Sequence, residues 1–460
     1  MLRMTAAEIA RATGGRVCAG SADAEADACV IDSRAASPGS VFVAFTGAHG
    51  DGHDYLEDVA RAGAAIALVT KPVPAPASGS LTLIQVDDAC QALQDLARFQ
   101  RSRLCIPVIG VTGSTGKTST KELLKAALNT GLKTVATEAN HNNELGVPLT
   151  LLSADETTEA LIVEMGMRAA GEIALLAEIA RPQIGVITTI SDAHLERLGS
   201  RENIARAKAE LFEALPAGTD GLAVFQAGVP FERLLRSATS ARICTVGRAP
   251  VKADLVASDL CLDSQACAHA RVTFPDGRTL PLDLSVSGAH NIDNALLALA
   301  VGLHLGLDAE AMTAALQAVT PTGLRLKSVD VPKRGITLIA DAYNANPESM
   351  AAALRTLASL QPSRAGGRRI AVLGDMLELG AASAEAHRAV LTLARELGLE
   401  CLFVFGSQFG AVCSPEVAYD DMVVLTQSLC SFVRPGDIVL VKGSRVMRME
   451  RVIEALQAEN

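Results

Sequence analysis

The chain has 460 residues, of which 49% are hydrophobic and only 3% aromatic, and its formal net charge is −10. At roughly 150 residues per domain, this length predicts about three domains. The negative charge argues against nucleic acid or an anionic membrane as a partner, because the overall field repels both. Any phosphate ligand must therefore be held by local loops and metal ions.

Targeting and redox features favour the cytoplasm. Residues 1–5 lack the apolar core of a signal peptide, and no apolar run approaches the roughly 20 residues that span a bilayer. The ten Cys residues are scattered without a C-x-x-C pair, which is typical of reduced thiols. We therefore predict a cytoplasmic protein without membrane insertion and expect a monomer.

The first 84 residues are predicted to form a small α/β domain. Strand, helix and strand are predicted at residues 41–45, 55–62 and 65–69, with Gly63 closing the helix. Residues 71–80 are rich in Pro, Ala, Gly and Ser, which indicates a loop near a domain boundary.

Residues 85–318 alternate between predicted strands and helices. Asp87 or Asp88 is expected to cap a helix ending at Arg103. Gly131 is expected to end a later helix, which starts at Lys117, in the left-handed conformation. The predicted strands are residues 106–111, 160–163, 184–190 and 222–225. This alternation predicts a mostly parallel sheet with helices on both faces.

The rest of the chain completes an α/β fold. Within residues 250–287, two alternating segments flank Pro275-Asp276-Gly277, which predicts a small antiparallel insertion in the central domain. Residues 319–460 read as a third, Rossmann-like α/β domain. Its strands are predicted at 336–340, 369–373, 402–405 and 438–441, and its helices after Pro347, Ser383 and Val446.

The segment Thr112-Gly113-Ser114-Thr115-Gly116-Lys117-Thr118 lies between a predicted strand and a predicted helix. A strand, a glycine loop and a helix N-terminus form a phosphate cradle, because backbone N–H groups and the helix dipole favour an anion. In such a loop Lys117 reaches the β- and γ-phosphates, and the Thr118 hydroxyl binds Mg²⁺. Val111 stands where the strict pattern has Gly, so the match is a variant. The alternative is a glycine-rich turn with an exposed Lys.

Two candidate metal ligands follow predicted strands of this central unit. Glu164 comes directly after residues 160–163, and His194 follows residues 184–190. Ligands of such sheets bind beyond the carboxyl ends of the strands, so both side chains are expected to reach a magnesium ion near the phosphates. Lys208 lies on a predicted helix, where its residue type alone indicates an exposed surface cation.

Taken in order, the motifs resemble those of the Mur ligases along essentially the whole chain. Besides the phosphate loop, the matching segments are Asp32-Ser33-Arg34, Asn140-His141-Asn142-Asn143-Glu144, Glu164-Met165-Gly166-Met167-Arg168, Ala207-Lys208-Ala209-Glu210, Gly288 to Asn294, Asp341-Ala342-Tyr343-Asn344-Ala345-Asn346-Pro347, Gly374 to Gly380 and Lys442-Gly443-Ser444-Arg445. The resemblance implies a UDP-substrate domain at 1–84, a central P-loop ATPase-type domain at 85–318 and an amino-substrate domain at 319–460.

The resemblance also implies roles in an ATP and Mg²⁺ site. Glu164, His194 and a carbamylated Lys208 would organise the metal with Thr118, and carbamylation would turn the Lys208 cation into an anion. Arg325 would contact the phosphates and Asp341 the ribose. Asn291 and Asn294 would contact adenine, although an Asn at a helix N-terminus is also a common cap. The expected catalytic residues are Lys117, Lys208, His194, Glu164 and Arg325.

Substrate contacts implied by the resemblance are spread over all three units. Ser33 and Arg34 would contact the diphosphate or uracil of a uridine nucleotide. Asn344 and Asn346 would orient an incoming dipeptide, whose carboxylate would pair with Lys442 or Arg445. Lys442 and Arg445 could equally well be exposed cations that flank a helix and bind no substrate. The remaining predicted substrate contacts are Asn140, Asn143, Arg168 and Ser444.

The segment 341–347 favours the branch of the family that joins D-alanyl-D-alanine to UDP-N-acetylmuramoyl-tripeptide with ATP. One alternative is a related ligase that adds a single amino acid: diaminopimelate or lysine in other Mur ligases, or glutamate in enzymes like folylpolyglutamate synthase. Another alternative, from a different class, is a nucleotide-binding switch or structural module without ligase activity.

Overall fold

The structure is a computed structural model that describes residues 1–47, 50–77, 80–192, 194–320, 324–362, 364–399, 401–414 and 417–458. These residues form three α/β units in chain order, built around sheets of five, nine and six strands. The predicted α/β class is confirmed.

The first unit is a mixed five-stranded sheet in the order β2-β9-β8-β5-β4. Only β2 runs antiparallel to its neighbour in this sheet. Gly63 closes the second helix with a φ of 91°, as predicted. The elements are β1 Met4–Thr5, α1 Ala6–Ala12, β2 Arg16–Ala19, β3 Glu25–Ala26, β4 Ala28–Val30, β5 Ser40–Val43, β6 Thr46–Gly47, β7 Gly50–Asp51, α2 Leu56–Arg61, β8 Ile66–Val69 and β9 Thr82–Gln85.

The central unit is a nine-stranded sheet in the order β11-β12-β10-β13-β14-β15-β16-β17-β18. Asp88 caps its first helix, as one of the two predicted candidates, by accepting a hydrogen bond from the backbone of Gln91. The elements are α3 Ala89–Arg103, β10 Val108–Thr112, α4 Lys117–Leu128, β11 Thr134–Ala136, α5 Gly146–Leu152, β12 Ala160–Glu164, α6 Glu172–Ala180, β13 Ile184–Ile187, α7 Leu195–Leu198, α8 Arg201–Glu213, β14 Gly218–Gln226, α9 Glu232–Ser237, β15 Ala241–Arg248, β16 Leu255–Leu262, β17 Cys267–Thr273, β18 Thr279–Ser287, α10 His290–His304 and α11 Ala309–Gln317.

The antiparallel part of this unit is an extension of the main sheet. β16 pairs parallel with β15, and β17 and β18 then add antiparallel. The predicted turn is present, with Gly277 at a φ of 84° and the backbone N–H of Phe274 donating to the carbonyl of Arg278. The insertion is therefore part of the same sheet, because β16 continues the backbone ladder of β15.

The prediction for Gly131 is wrong. Among the glycines with positive φ in the described residues, Gly131 does not occur, and α4 ends at Leu128 in a right-handed turn. A Cβ at position 131 would lie 2.8 Å from the Leu307 side chain. Close packing against Leu307 therefore accounts for this glycine.

The third unit is a six-stranded sheet in the order β19-β20-β24-β21-β22-β23, parallel except for β19. The register of β20 against β24 places Asp341 directly opposite Lys442. The elements are β19 Lys327–Val331, β20 Ile336–Asp341, α12 Pro347–Ser359, β21 Arg369–Gly374, α13 Ser383–Glu396, β22 Cys401–Phe405, α14 Ser407–Gly410, β23 Ala418–Tyr419, α15 Met422–Phe432, β24 Ile438–Lys442 and α16 Glu450–Gln457.

The predicted boundaries at 84/85 and 318/319 lie beside the ends of β9 and α11, and the division itself stays a prediction. The first two units share one apolar core, to which Met4, Ile9 and Val41 contribute from one side and Leu93 and Leu151 from the other. Within the described part of the chain, no helix is long and apolar enough to cross a bilayer.

Gln100 on α3 ties these two units together. Its fully buried side-chain amide donates to the carbonyls of Leu151 and Ala154, both at 2.8 Å, and accepts from the backbone N–H of Leu2 at 3.0 Å. Because α3 packs between the first unit and helices α5 and α6, these bonds fix the orientation of α3 against both.

Replacing Gln100 with Leu is expected to lower the free energy of unfolding by about 2–4 kcal/mol, because three backbone groups lose their buried partner. Gln91→Leu makes the same change at an exposed position of the same helix and should cost less than about 0.5 kcal/mol. Urea unfolding followed by circular dichroism measures both. Equal midpoints for the two variants would contradict the role assigned to Gln100.

Candidate active site

The parallel register of the central sheet creates the site. Val111 on β10 lies opposite Glu164 on β12 and opposite Val186 on β13. All residues of these three strands are buried, as expected for apolar strands covered on both faces. Their carboxyl ends therefore meet at one edge of the sheet, where β10 continues through the glycine loop into α4.

Two glycines of the loop occupy positions that a side chain could not. Gly113 has a φ of 153°, and a Cβ there would lie 1.8 Å from the Thr188 hydroxyl. Gly116 has a φ of 81°, and a Cβ there would lie 2.8 Å from the amide oxygen of Asn294. The loop can pack this closely against β13 and α10 only because both residues are glycine.

Hydrogen bonds to the end of β13 hold the loop in place. The backbone N–H of Ser114 donates to the carbonyl of Thr189, and the N–H of Thr115 donates to the Thr189 hydroxyl, both at 2.9 Å. The Thr188 hydroxyl donates to the carbonyl of Thr115 at 2.5 Å. Hydrogen bonds within the protein therefore define the shape of the loop.

Lys117 is the first residue of α4, and its ammonium donates to the carbonyl of Gly113 at 2.7 Å. Burial lowers the pKa of Lys117, whereas the nearby Glu164 carboxylate opposes this shift and Arg325 adds to it. Lys117 is half-buried, and a partly desolvated cation beside a phosphate loop interacts strongly with an anionic ligand.

Thr118 and Glu164 are joined directly. The Thr118 hydroxyl donates to one carboxylate oxygen of Glu164 at 2.9 Å, and the side-chain amide of Asn142 donates to the other at 2.9 Å. Glu164 is only 2% exposed. The carboxylate oxygens are thus held beside the loop. Oxygen atoms are the ligands that a hard cation such as Mg²⁺ prefers.

His194 lies just before α7 with a φ of 63°, and its Nδ1 is 2.6 Å from Glu378 Oε2 in the third unit. Burial lowers the pKa of His194, while the Glu378 carboxylate opposes the shift. Lys117 and Lys208 lower it further, so both ammonium groups lie near the ring. A lowered pKa favours the neutral imidazole, which is the form that binds metals.

Lys208 is 1% exposed on α8, so the surface location suggested by its residue type is wrong. Burial lowers the pKa of its amine well below the usual value, and Lys117 adds to the effect. Among the residues that the structure describes, no carboxylate offsets this shift. A lowered pKa favours the neutral amine, which is a nucleophile, over the ammonium form.

Asn291 and Asn294 lie on the first turns of α10 and are almost fully buried. The Asn291 amide donates to the carbonyl of Ser287 at 2.8 Å, and the Asn294 amide donates to Asn291 at 3.0 Å. The Thr120 hydroxyl of α4 donates to Asn294 at 3.1 Å. These bonds fix both amides beside the loop.

The third unit contributes a paired set of charges. Lys442, which is 2% exposed, donates to Asp341 at 2.7 Å and to the carbonyl of Asn344 at 2.9 Å. Burial raises the pKa of Asp341, and Lys442 opposes that shift.

Two other residues of the third unit are held by local contacts. The Arg325 guanidinium lies over the Tyr343 ring, 4.1 Å from its centre. Asn346 caps α12 by accepting from the backbone N–H of Ser349 at 2.9 Å.

These groups line one cavity of about 740 Å³ between the central and third units. The predicted residues that the cavity brings together are Gly113, Ser114, Thr115, Gly116, Lys117, Thr118, Asn140, Asn143, Glu164, Arg168, His194, Lys208, Asn291, Asn294, Arg325, Asp341, Asn344, Asn346 and Lys442.

Five predicted site residues lie outside the cavity lining. The buried hydroxyl of Thr112 donates to the carbonyl of Met165 at 2.9 Å, which makes it part of the loop support. Arg34, next to Ser33, is exposed and pairs with Asp32 in the first unit. Ser444 is buried and accepts from the backbone of Leu377, and Arg445 is exposed beside Glu450.

Three residues absent from the predicted set contact it. Asn142 donates to Glu164, Glu378 contacts His194, and the Glu348 carboxylate accepts from the Thr115 hydroxyl at 3.4 Å. Asn142 and Glu378 lie inside segments that match family motifs, so the sequence pattern indicated that these positions belong near the site. Glu348 directly follows such a segment but lies outside it. No sequence pattern indicated its contact, because that contact joins residues of two separate units.

Comparison with known proteins covers all three units. Three family models match: the Mur ligase family catalytic domain at residues 26–101, the Mur ligase middle domain at 111–302 and the Mur ligase glutamate ligase domain at 324–445. The UDP-N-acetylmuramoyl-tripeptide–D-alanyl-D-alanine ligase of Mycobacterium tuberculosis is 36% identical, over 100% of this chain and 99% of its own.

Solved structures agree with the sequence relatives. MurF from Acinetobacter baumannii superposes with a TM-score of 0.88 at 29% identity, over 99% of each chain. MurF from Thermotoga maritima, in complex with ADP, superposes with a TM-score of 0.78 at 28% identity, over 94% of this chain and 97% of its own. This chain therefore belongs to the Mur ligase family.

Proposed function

We propose that this Mur ligase joins D-alanyl-D-alanine to UDP-N-acetylmuramoyl-tripeptide with ATP, and so forms a pentapeptide precursor of peptidoglycan. The observation that carries the proposal is the single cavity in which the phosphate loop of the central unit faces the 341–346 segment of the third unit. Full-length relatives with the same activity in their names support it.

The chemistry solves a simple problem. A carboxylate repels nucleophiles and has no good leaving group, so an amine does not attack it. Transfer of the γ-phosphoryl group of ATP to the tripeptide carboxylate gives an acyl phosphate and ADP. The free amine of D-alanyl-D-alanine then attacks the carbonyl carbon, phosphate leaves, and an amide bond remains after loss of a proton.

The residues around the loop suit phosphoryl transfer, which depends mainly on positioning and electrostatic stabilisation. Lys117 and Arg325 supply positive charge from two units, and both are close enough for Arg325 to shift the Lys117 pKa. Asn291 and Asn294 are proposed to contact adenine, and Asp341 the ribose. The ADP complex of the Thermotoga relative supports the binding of an adenine nucleotide.

Magnesium fits the donor set of the loop. Among the described residues, no cluster of three or more His, Cys, Asp or Glu side chains forms a preassembled metal site. Mg²⁺ typically takes one or two carboxylates and completes its shell with phosphate oxygens and water. Glu164, the Thr118 hydroxyl and His194 would hold it here, and the ion would neutralise charge on the phosphates.

We propose that Lys208 is carbamylated, and its burial supports this. Its neutral amine can attack CO₂, giving a carbamate and one proton, whereas an ammonium cannot. The product places a negative charge beside Lys117, which lies close enough to shift the Lys208 pKa. We therefore propose that the carbamate places an anion opposite the Lys117 ammonium and helps to organise the metal.

Substrate recognition is proposed to involve all three units. Asn140, Asn143 and Arg168 line the cavity on the central side, and Asn344 and Asn346 line it on the side of the third unit. Ser33 and Arg34 stay candidates for the uridine nucleotide. Lys442, Ser444 and Arg445 stay candidates for the dipeptide carboxylate, with Lys442 already neutralised by Asp341.

Phosphate release with ATP, Mg²⁺, the UDP-linked tripeptide and candidate amines tests the function. We expect release that depends on D-alanyl-D-alanine and on the tripeptide together. Preference for a single amino acid would instead support a related ligase. Release with none of the pairs would support a nucleotide-binding module without ligase activity.

Lys117→Ala is expected to lower phosphate release by about 10³-fold or more, because the loop loses the charge that faces the phosphates. Lys125→Ala removes a half-buried cation from the last turn of the same helix and should leave turnover near the wild-type value. A steady-state phosphate assay measures both. Near-normal turnover of Lys117→Ala would refute the central role of the loop.

Lys208→Ala is expected to be inactive and to regain part of its activity when a small carboxylic acid such as acetate is added, because the acid restores the missing anion. Lys117→Ala serves as the matched control, since an added anion cannot replace a lost cation. Full activity of Lys208→Ala without acid would remove the carbamate from the mechanism.

A further inference from the structure

Glu378 is the point at which the third unit touches the proposed metal site. Its Oε2 lies 2.6 Å from His194 Nδ1, and its backbone carbonyl accepts from the N–H of Glu196 at 3.3 Å. Glu378 and His194 both have positive φ, at 62° and 63°. Such backbone conformations are costly for residues other than Gly and persist where the surroundings enforce them.

The surroundings of Glu378 are built by residues outside the proposed phosphate and metal contacts. Asp375 accepts from the backbone N–H groups of Gln408 and Phe409, both at 2.9 Å. These bonds hold the start of the 374–380 segment against α14, where Asp375 is 2% exposed. The segment is therefore anchored within the third unit before it reaches Glu378.

Two further bonds fix the next backbone groups of the segment. The fully buried His387 accepts from the N–H of Met376 at 3.1 Å, and the Ser444 hydroxyl accepts from the N–H of Leu377 at 3.0 Å. Backbone N–H groups of α14 thus hold Asp375, a side chain of α13 holds Met376, and Ser444, just after β24, holds Leu377. Ser444 therefore has a structural role, because it positions the backbone that leads to Glu378.

The contact to His194 has a defined chemical consequence. A carboxylate oxygen only accepts hydrogen bonds, so His194 Nδ1 must carry the hydrogen and donate it. In the neutral ring, Nε2 then keeps its lone pair and is the atom left to bind a metal. A carboxylate behind a metal-binding His fixes the tautomer and the ring orientation and raises the basicity of the ligand.

We propose that Glu378 is a positioning residue supplied by the third unit, which prepares His194 for the metal and completes the site only when that unit is docked. The proposal rests on the proposed function, in that His194 must be a metal ligand of the ATP site. It links the placement of the amino substrate to the placement of the metal, because the segment that carries Glu378 belongs to the unit proposed to bind that substrate.

Mn²⁺ binding to the full-length protein in the presence of ADP tests this, with free Mn²⁺ measured by electron paramagnetic resonance. Glu378→Ala is expected to raise the Mn²⁺ dissociation constant about 10- to 100-fold. Glu378→Gln should lose less, since an amide oxygen still accepts from Nδ1. Neither change introduces Gly, so the cost of the positive φ stays comparable.

Glu385→Ala is the matched control, since it removes an exposed carboxylate from α13 of the same unit and should bind Mn²⁺ as the wild type does. Circular dichroism checks that each variant is folded. If Glu378→Ala does not fold, Glu378→Leu carries the test, because its side chain fills similar space but cannot accept from His194 Nδ1. A dissociation constant for Glu378→Leu equal to that of the wild type then overturns the proposal.

Three other results would overturn it. Unchanged Mn²⁺ affinity in a folded Glu378→Ala protein is the first. An increased radius of gyration in solution scattering with unchanged affinity is the second, because it would reduce Glu378 to a contact between units. Mn²⁺ binding that survives His194→Ala is the third. A wild-type protein that binds Mn²⁺ but forms no UDP-linked pentapeptide from the tripeptide and D-alanyl-D-alanine would refute the proposed function alone.

Discussion

The site depends on the parallel pairing of three adjacent strands in the central sheet. Because Val111 is in register with Glu164 and Val186, the phosphate loop, a carboxylate and the strand that leads to His194 leave the sheet at one edge. A shift of one residue in this register would turn Glu164 to the other face of the sheet. The buried apolar residues of these strands hold the register, so core packing and catalytic geometry have the same cause.

Burial then sets the charge state of the groups at that edge. Lys117, His194 and Lys208 all have lowered pKa values, with burial as the main cause in each case. Lys117 and Arg325 supply the positive charge that attracts a polyphosphate, and a carbamate on Lys208 would place an anion beside Lys117.

The third unit lines the other side of the cavity and contributes a buried ion pair of its own. The register of β20 with β24 places Asp341 opposite Lys442, so each buried charge meets its partner. Breaking one member of such a pair is costly because it leaves the other charge buried and alone. Contacts from Glu348 to Thr115 and from Glu378 to His194 connect this rigid edge to the loop and the metal site.

Local sequence was enough to predict the α/β class, the position of the phosphate loop, an Asp cap at position 87 or 88 and the turn at Gly277, because each depends on neighbouring residues. Motif resemblance placed Lys208 in the site, against the expectation for an isolated Lys. Only the tertiary structure decided that Lys208 is buried, that Gly131 packs against Leu307, that Ser444 supports a backbone segment and that Glu378 reaches His194. Those outcomes depend on residues up to 184 positions apart, and no local pattern records which surfaces meet when separate units pack together.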